Sequence, residues 1–178
     1  MIPDDQFVKR VPLTKEEIRA ISLYKLSLSK DDIVADIGSG AGGMSVEIAL
    51  RAKKVYSIDL NREAIENLKE NLKKFNIKNC EIIHGKAEEA IKNLEFNKAF
   101  IGGTKNIEEI IKILAEKEVS HIVANTIVLE NTLKIVKLLE SYNYKLDIVL
   151  ANISKAKKIS PGYIFFSHNP IYIITALL

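Results

Sequence analysis

The residues best suited to bind a ligand form the run Asp36-Ile37-Gly38-Ser39-Gly40-Ala41-Gly42-Gly43, with Asp59 following roughly 20 residues later. Glycines permit a tight turn and let a ligand approach the backbone, and a helix starting there presents unpaired N–H groups. A carboxylate at the end of the next strand can accept hydrogen bonds from both hydroxyls of a ribose. Turn, helix start and acid at that separation describe a nucleoside site. Gly38, Gly40 and Gly43 also satisfy the G-x-G-x-x-G fingerprint of nicotinamide dinucleotides. Asp36 points elsewhere, because a carboxylate two residues before the first glycine would repel a pyrophosphate. It suits a ligand bearing an amino group and a sulfonium, so the expected ligand is S-adenosylmethionine.

Four further places carry chemically useful residues. After the third predicted strand, His84-Gly85-Lys86-Ala87-Glu88 is expected to set the Ala87 backbone and a carboxylate beside the adenine. Glu88 and Glu89 fit equally well as first-turn acids favoured by a helix dipole. The fourth strand ends in Ile101-Gly102-Gly103-Thr104, without the Asn/Asp-Pro-Pro-Tyr/Phe motif of methyltransferases acting on base or amide nitrogens. Tandem glycine there suggests close approach by a bulky substrate or by the methionine moiety, with a plain turn as the alternative. Lys155, Lys157 and Lys158 could grip an acidic substrate or simply be solvated. Ser167-His168-Asn169-Pro170 resembles the missing motif but precedes the last strand, so it reads as a turn. His84 and His121 flank apolar strands and read as structural; no catalytic dyad is evident.

These residues need a sheet with turns along one edge. Strands are predicted over 33–37, 54–58, 80–83, 99–101 and 119–126, and helices over 43–51, 86–94, 107–116 and 130–142. A helix over 14–26 opens on Thr14-Lys15-Glu16-Glu17, a Thr-x-x-Glu capping-box pattern. Another is capped by Asn61 and carries Ala64, Ile65, Leu68, Leu72 and Phe75 at helical spacing. Alternation of this kind predicts a parallel sheet covered on both faces. The pattern ends with strands over 145–153 and 171–177, joined by a loop around Ser160-Pro161-Gly162 and no helix. Without a crossover helix those two must pair antiparallel.

A length of 178 residues, 47% hydrophobic and 28% charged, fits one soluble domain spanning 1–178. A net charge of +3 spread along the chain argues against nucleic acid as partner. Cys80 alone offers neither a disulfide framework nor a metal set, and no apolar run approaches the ~18 residues of a membrane span. Met1-Ile2-Pro3-Asp4-Asp5 lacks signal-peptide character, so a cytoplasmic protein without metal or membrane partner is expected.

The chain resembles the decarboxylating cobalt-precorrin C15-methyltransferases of cobalamin biosynthesis, in their single-domain form. The resemblance is carried by Ile2-Pro3-Asp4-Asp5-x-Phe7, Pro12-Leu13-Thr14-Lys15-Glu16-Glu17-Ile18-Arg19, the glycine loop, Ile58-Asp59, Ile101-Gly102-Gly103 and Asn169-Pro170. It implies a class I, Rossmann-like methyltransferase fold, a seven-stranded mostly parallel sheet with one antiparallel strand. It further implies that Thr14, Gly38, Ser39, Gly40, Ala41, Gly42, Asp59 and the Ala87 backbone contact S-adenosylmethionine. The implied reaction is methylation of a cobalt-containing tetrapyrrole at C15 with loss of the C12 acetate carboxyl. Gly102, Gly103, Thr104, Lys155, Lys157 and Lys158 are the expected substrate contacts, although Thr104-Lys105-Asn106 departs from the family's usual Ser/Thr-Gly-Gly extension. A homotetramer and a separate C5-methyltransferase partner are implied as well. The alternatives are an RNA or protein methyltransferase of the same fold, and a non-catalytic cofactor-binding assembly protein.

Overall fold

Residue alternation along β1 (Ile33–Ile37) decides which side chain reaches which layer. In this computed structural model, which describes all 178 residues, Val34 packs with one buried cluster and Ala35 and Ile37 with another. The remaining strands are β2 Lys54–Asp59, β3 Cys80–His84, β4 Lys98–Ile101, β5 His121–Thr126, β6 Lys145–Ala151, β7 Ser154–Lys158, β8 Tyr163–Ser167 and β9 Ile171–Leu177. Helices are α1 Glu16–Leu26, α2 Gly43–Ala49, α3 Arg62–Lys74, α4 Ala87–Ala90, α5 Ile107–Glu116 and α6 Leu129–Ser141. Seven strands form one sheet in the order β3-β2-β1-β4-β5-β9-β6. β9 runs antiparallel to both neighbours, which makes it the single antiparallel strand.

Helices cover both faces. Ile110, Ile111 and Leu114 of α5 and Ile135 and Leu139 of α6 pack on Ala35, Ile37, Ile101, Ile122 and Ile174. Ile18, Leu23 and Leu26 of α1 and Met44 and Ile48 of α2 pack on Val34, Val55, Phe100, Val123 and Ile173. The predicted stripe on α3 is buried at Ala64, Ile65, Leu68 and Leu72, and Asn61 caps the helix by accepting from Glu63 N at 2.9 Å.

Residues 1–12 form a strap over α3. Asn67 and Asn71, one turn apart, act as a surrogate strand edge: Val8 O accepts from both Nδ2 atoms at 2.7 Å. Val8 N and Arg10 N donate to Asn71 and Asn67 Oδ1 at 2.8 and 2.7 Å. Both asparagines are fully buried, so these bonds satisfy groups that would otherwise be costly.

Three expectations need correction. Thr14 does not cap α1: Lys15 holds the N-cap position with no side-chain bond, and the Thr14 carbonyl accepts from Arg19 Nη1. That buried guanidinium, also bonded to Ile2 O and Asp4 Oδ1 and lying over the Phe7 ring, fixes the entry of the chain in place of a capping box. The helix over 86–94 is one turn of α4 followed by a 3₁₀ turn, Ile91–Asn93. The loop around Ser160-Pro161-Gly162 is only the tip of a hairpin, β7–β8, whose lysine-rich first strand has no apolar alternation to reveal it.

Candidate functional site

The glycine loop is held by bonds to its own surroundings. Gly38 N and Ser39 N donate to Ile58 O at 2.9 and 3.1 Å, Ala41 N to Pro12 O at 3.3 Å and Gly42 N to Ser39 O at 2.9 Å. Gly40 N donates to Asp59 Oδ2 at 2.8 Å. Every amide from Gly38 to Gly42 is thus engaged, and the loop offers curvature rather than the free donors that the sequence suggested. A pyrophosphate would find no N–H array here. Positive φ at Gly38, Gly40 and Gly42 requires glycine for the turn.

The tandem glycine after β4 has a cause different from the one expected. A Cβ on Gly38 would stand 2.6 Å from Gly103 N, and one on Gly102 2.9 Å from Gly38 O. The two loops interlock backbone to backbone, so Gly38 and Gly102 are required by the protein itself.

Together the loops open a cavity of about 970 Å³ along the carboxyl ends of the parallel strands, the usual ligand side of an open α/β sheet. One half is walled by Gly38, Ser39, Gly40, Asp59 and Ala87, with Thr14 between the strap and α1; the other by Gly102, Gly103, Thr104, Asn125, Asn131 and His168. The structure therefore brings most of the predicted residues together. Ala41 and Gly42 lie behind the loop: Ala41 O accepts from Asn71 Nδ2, and a Cβ on Gly42 would strike Leu68. Lys155, Lys157 and Lys158 do not reach the wall.

Lys155 binds Glu16 and Glu17, each at 2.7 Å, and those bonds push its ammonium upward in pKa. A committed ion pair is a poor grip for another carboxylate. Glu88 behaves as the first-turn acid. Its own backbone N–H, followed by the Asn106 amide, draws it below the usual carboxylate range.

Asp36 is corrected most sharply. Strand alternation turns it away from the cavity and under α2, where Ser45 Oγ donates to it and its Oδ1 has no partner. Burial, with the Asp59 charge adding, raises it to about 7 although the Ser45 hydrogen bond opposes the shift. Any favour it shows to a cationic ligand acts through space.

Asp59 does face the cavity. Gly40 N and Asn61 N take one lone pair on each oxygen, both at 2.8 Å, leaving lone pairs for a diol. Ser39 Oγ is buried without a partner at the same wall. An orphaned hydroxyl beside a half-satisfied carboxylate fits an uncharged sugar and a small polar group. The sequence missed the asparagines of the far half, Asn125 and Asn131. Asn131 Nδ2 donates to Thr104 Oγ1 at 3.2 Å, and only the fold makes those residues neighbours. No group of His, Cys, Asp and Glu is arranged to hold a metal, and no helix is long and apolar enough to cross a membrane.

Comparison with known proteins narrows the reading. Residues 5–176 match the model of the precorrin methyltransferase domain. A Methanocaldococcus jannaschii protein, 61% identical over 99% of this chain and 98% of its own length, is named a probable cobalt-precorrin-6B C(15)-methyltransferase (decarboxylating). A Methanobacterium thermoautotrophicum crystal structure described as precorrin 8w decarboxylase superposes with TM-score 0.96 at 30% identity, covering 100% of both chains. A tRNA (m1A58) methyltransferase from Aquifex aeolicus aligns with TM-score 0.77 over 97% of this chain and 72% of its own. At 19% identity it shows the class I methyltransferase fold alone.

Proposed function

The chain belongs to the precorrin methyltransferase domain family, and from that membership we propose that it methylates a cobalt-precorrin at C15 and removes the C12 acetate carboxyl as carbon dioxide, within anaerobic cobalamin biosynthesis. The observation that supports this beyond likeness is the size of the cavity. Asp59 and the glycine loop line one side of it, and a volume of about 970 Å³ extends past Thr104, Asn125, Asn131 and His168. That room suits a nucleoside together with a macrocycle.

S-adenosylmethionine is the proposed methyl donor, and when bound it supplies an electrophilic methyl group on a sulfonium. The rest is done by the chain. Asp59 accepts from the ribose hydroxyls, Ser39 Oγ and Thr14 line the same half, and the Ala87 backbone meets the adenine. Ala41 and Gly42 hold the loop's shape from behind. Gly103 and Thr104 stand where the two halves meet, so they border the reacting carbon, and Gly102 keeps the turn tight beneath them. An electron-rich macrocycle attacks without a strong base, so alignment and exclusion of water carry the acceleration. Of the three lysines, Lys157 and Lys158 remain for substrate carboxylates, from the outer part of the β7–β8 hairpin rather than the cavity wall.

The same reading makes the protein a single-domain cytoplasmic homotetramer working beside a separate C5-methyltransferase. Exposed Tyr163, Phe165 and Phe166 on β8 support assembly.

The test is incubation with methyl-labelled S-adenosylmethionine and cobalt-precorrin-6B, followed by mass spectrometry of the tetrapyrrole. The expected product gains one labelled methyl and loses carbon dioxide. A tetrapyrrole recovered unchanged, with RNA bound in a steeply salt-dependent way, would favour an RNA methyltransferase instead.

A further inference from the structure

Ser167-His168-Asn169-Pro170 precedes the final strand, and in a fully parallel sheet that position would lie at the end remote from the ligand. The antiparallel run of β9 reverses this. Tyr172 pairs with Thr126 at the end of β5, and Ile171 with Ala151 at the end of β6. The chain therefore enters β9 where β5 and β6 leave, and His168 and Asn169 line the cavity.

His168 is fixed there. Its N–H donates to Ile153 O at 2.9 Å, and Ser154 and Ser167 hydroxyls bond at 2.8 Å across the base of the hairpin. Its side chain is half-buried and its ring takes no part in the protein's own hydrogen bonds. The other two imidazoles are excluded: His84 Nε2 is engaged with Leu60 O at 3.1 Å, and His121 starts β5 at the opposite end of the sheet. The ionisable side chains lining the cavity are Lys15, Asp59, Lys86, Glu88, Lys105 and His168, and His168 carries the one imidazole among them. An imidazolium is a better proton donor than an ammonium.

We propose that His168 is the general acid of the decarboxylation, delivering the proton that converts the substrate's acetate side chain to a methyl group. The inference rests on the proposed precorrin substrate. In the step, the bond between the side-chain methylene and its carboxylate breaks, and its electron pair enters the conjugated macrocycle as carbon dioxide leaves. The macrocycle returns a pair to the exocyclic methylene carbon, which takes the proton from the imidazolium. The neutral imidazole recovers its proton from water. The balance is –CH₂–COO⁻ plus H⁺ giving –CH₃ plus CO₂, with no oxidant or reductant.

The variants are His168→Gln and His168→Ala, assayed with labelled S-adenosylmethionine and cobalt-precorrin-6B. Methyl gain should persist in both while carbon dioxide loss slows by about 10²-fold or more. Free imidazole should restore carbon dioxide loss to His168→Ala, a rescue that a merely structural role would not give. Carbon dioxide loss at the wild-type rate in both variants would overturn the assignment. So would equal slowing of the two events without rescue, which would mark His168 as a substrate-holding residue. A wild-type enzyme giving neither event would instead overturn the proposed substrate, and this inference with it.

Discussion

Two buried ionisable residues show how differently the fold treats charge. Arg19 is fully buried, with its bonds to Ile2 O, Thr14 O and Asp4 making it the anchor of the strap that forms one wall of the cavity. Asp36 has one hydroxyl donor and an unpartnered oxygen, and burial raises it from 3.8 to about 7. Between those values the native state holds a proton that the unfolded chain has released. The resulting stabilisation is complete below about pH 4 and is lost as pH rises through about 7. Asp36→Asn cannot ionise, so its stability relative to wild type should rise between about pH 4 and pH 7 and level off above that, by a few kcal/mol at most. Denaturant titration across that range checks this, and parallel pH profiles for the two proteins would refute it. Identity and position of both residues were legible in the sequence. Their surroundings were not, since Arg19 meets partners up to 17 residues away and Asp36 meets a helix that folds back over it.

Among the elements, the loops after β1 and β4 work as one unit. Gly38 has φ +77 and no room for a Cβ beside Gly103 N, whereas a Cβ on Gly103 would meet Gly38 Cα at an ordinary 3.5 Å. Gly38→Ala should therefore cost more than about 1 kcal/mol and weaken cofactor binding, while Gly103→Ala should stay within about 0.5 kcal/mol of wild type. Chemical denaturation and calorimetry of both variants test the contrast, and matching midpoints would mean that the loops do not interlock. The glycines announced a close approach, but the sequence could not say that the approaching group was another stretch of backbone. β9 teaches the same lesson. Its existence and antiparallel sense were readable from the missing crossover helix, yet the consequence for His168 required knowing that β9 inserts between β5 and β6.

For the whole molecule, the hairpin β7–β8 projects beyond the main sheet, with Tyr163 and Phe165 69% and 68% exposed. Those two alternate onto one face of the strand. If assembly uses that face, Phe165→Glu should shift a sedimenting tetramer to smaller species while leaving the circular dichroism unchanged; wild-type protein sedimenting as a monomer would remove the tetramer from consideration. This hairpin lay outside the reach of sequence reading because β7 is mostly lysine and β8 is exposed on every residue, so neither shows the one-sided burial that marks a strand. By itself the sequence determined the order of strands and helices in the main sheet and the pairing of a glycine turn with an acid. Those depend on local spacing: a turn that only glycine can make, an acid at the end of the following strand, and apolar residues at periods that the backbone imposes. The family was legible through the likeness of whole segments rather than through spacing. Only the tertiary structure decided which way Asp36 faces, that the glycine-loop amides are already spent, that Lys155 is taken by Glu16 and Glu17, and that His168 enters the cavity. Each depends on partners brought together across the sheet or between its layers, which spacing along the chain does not encode.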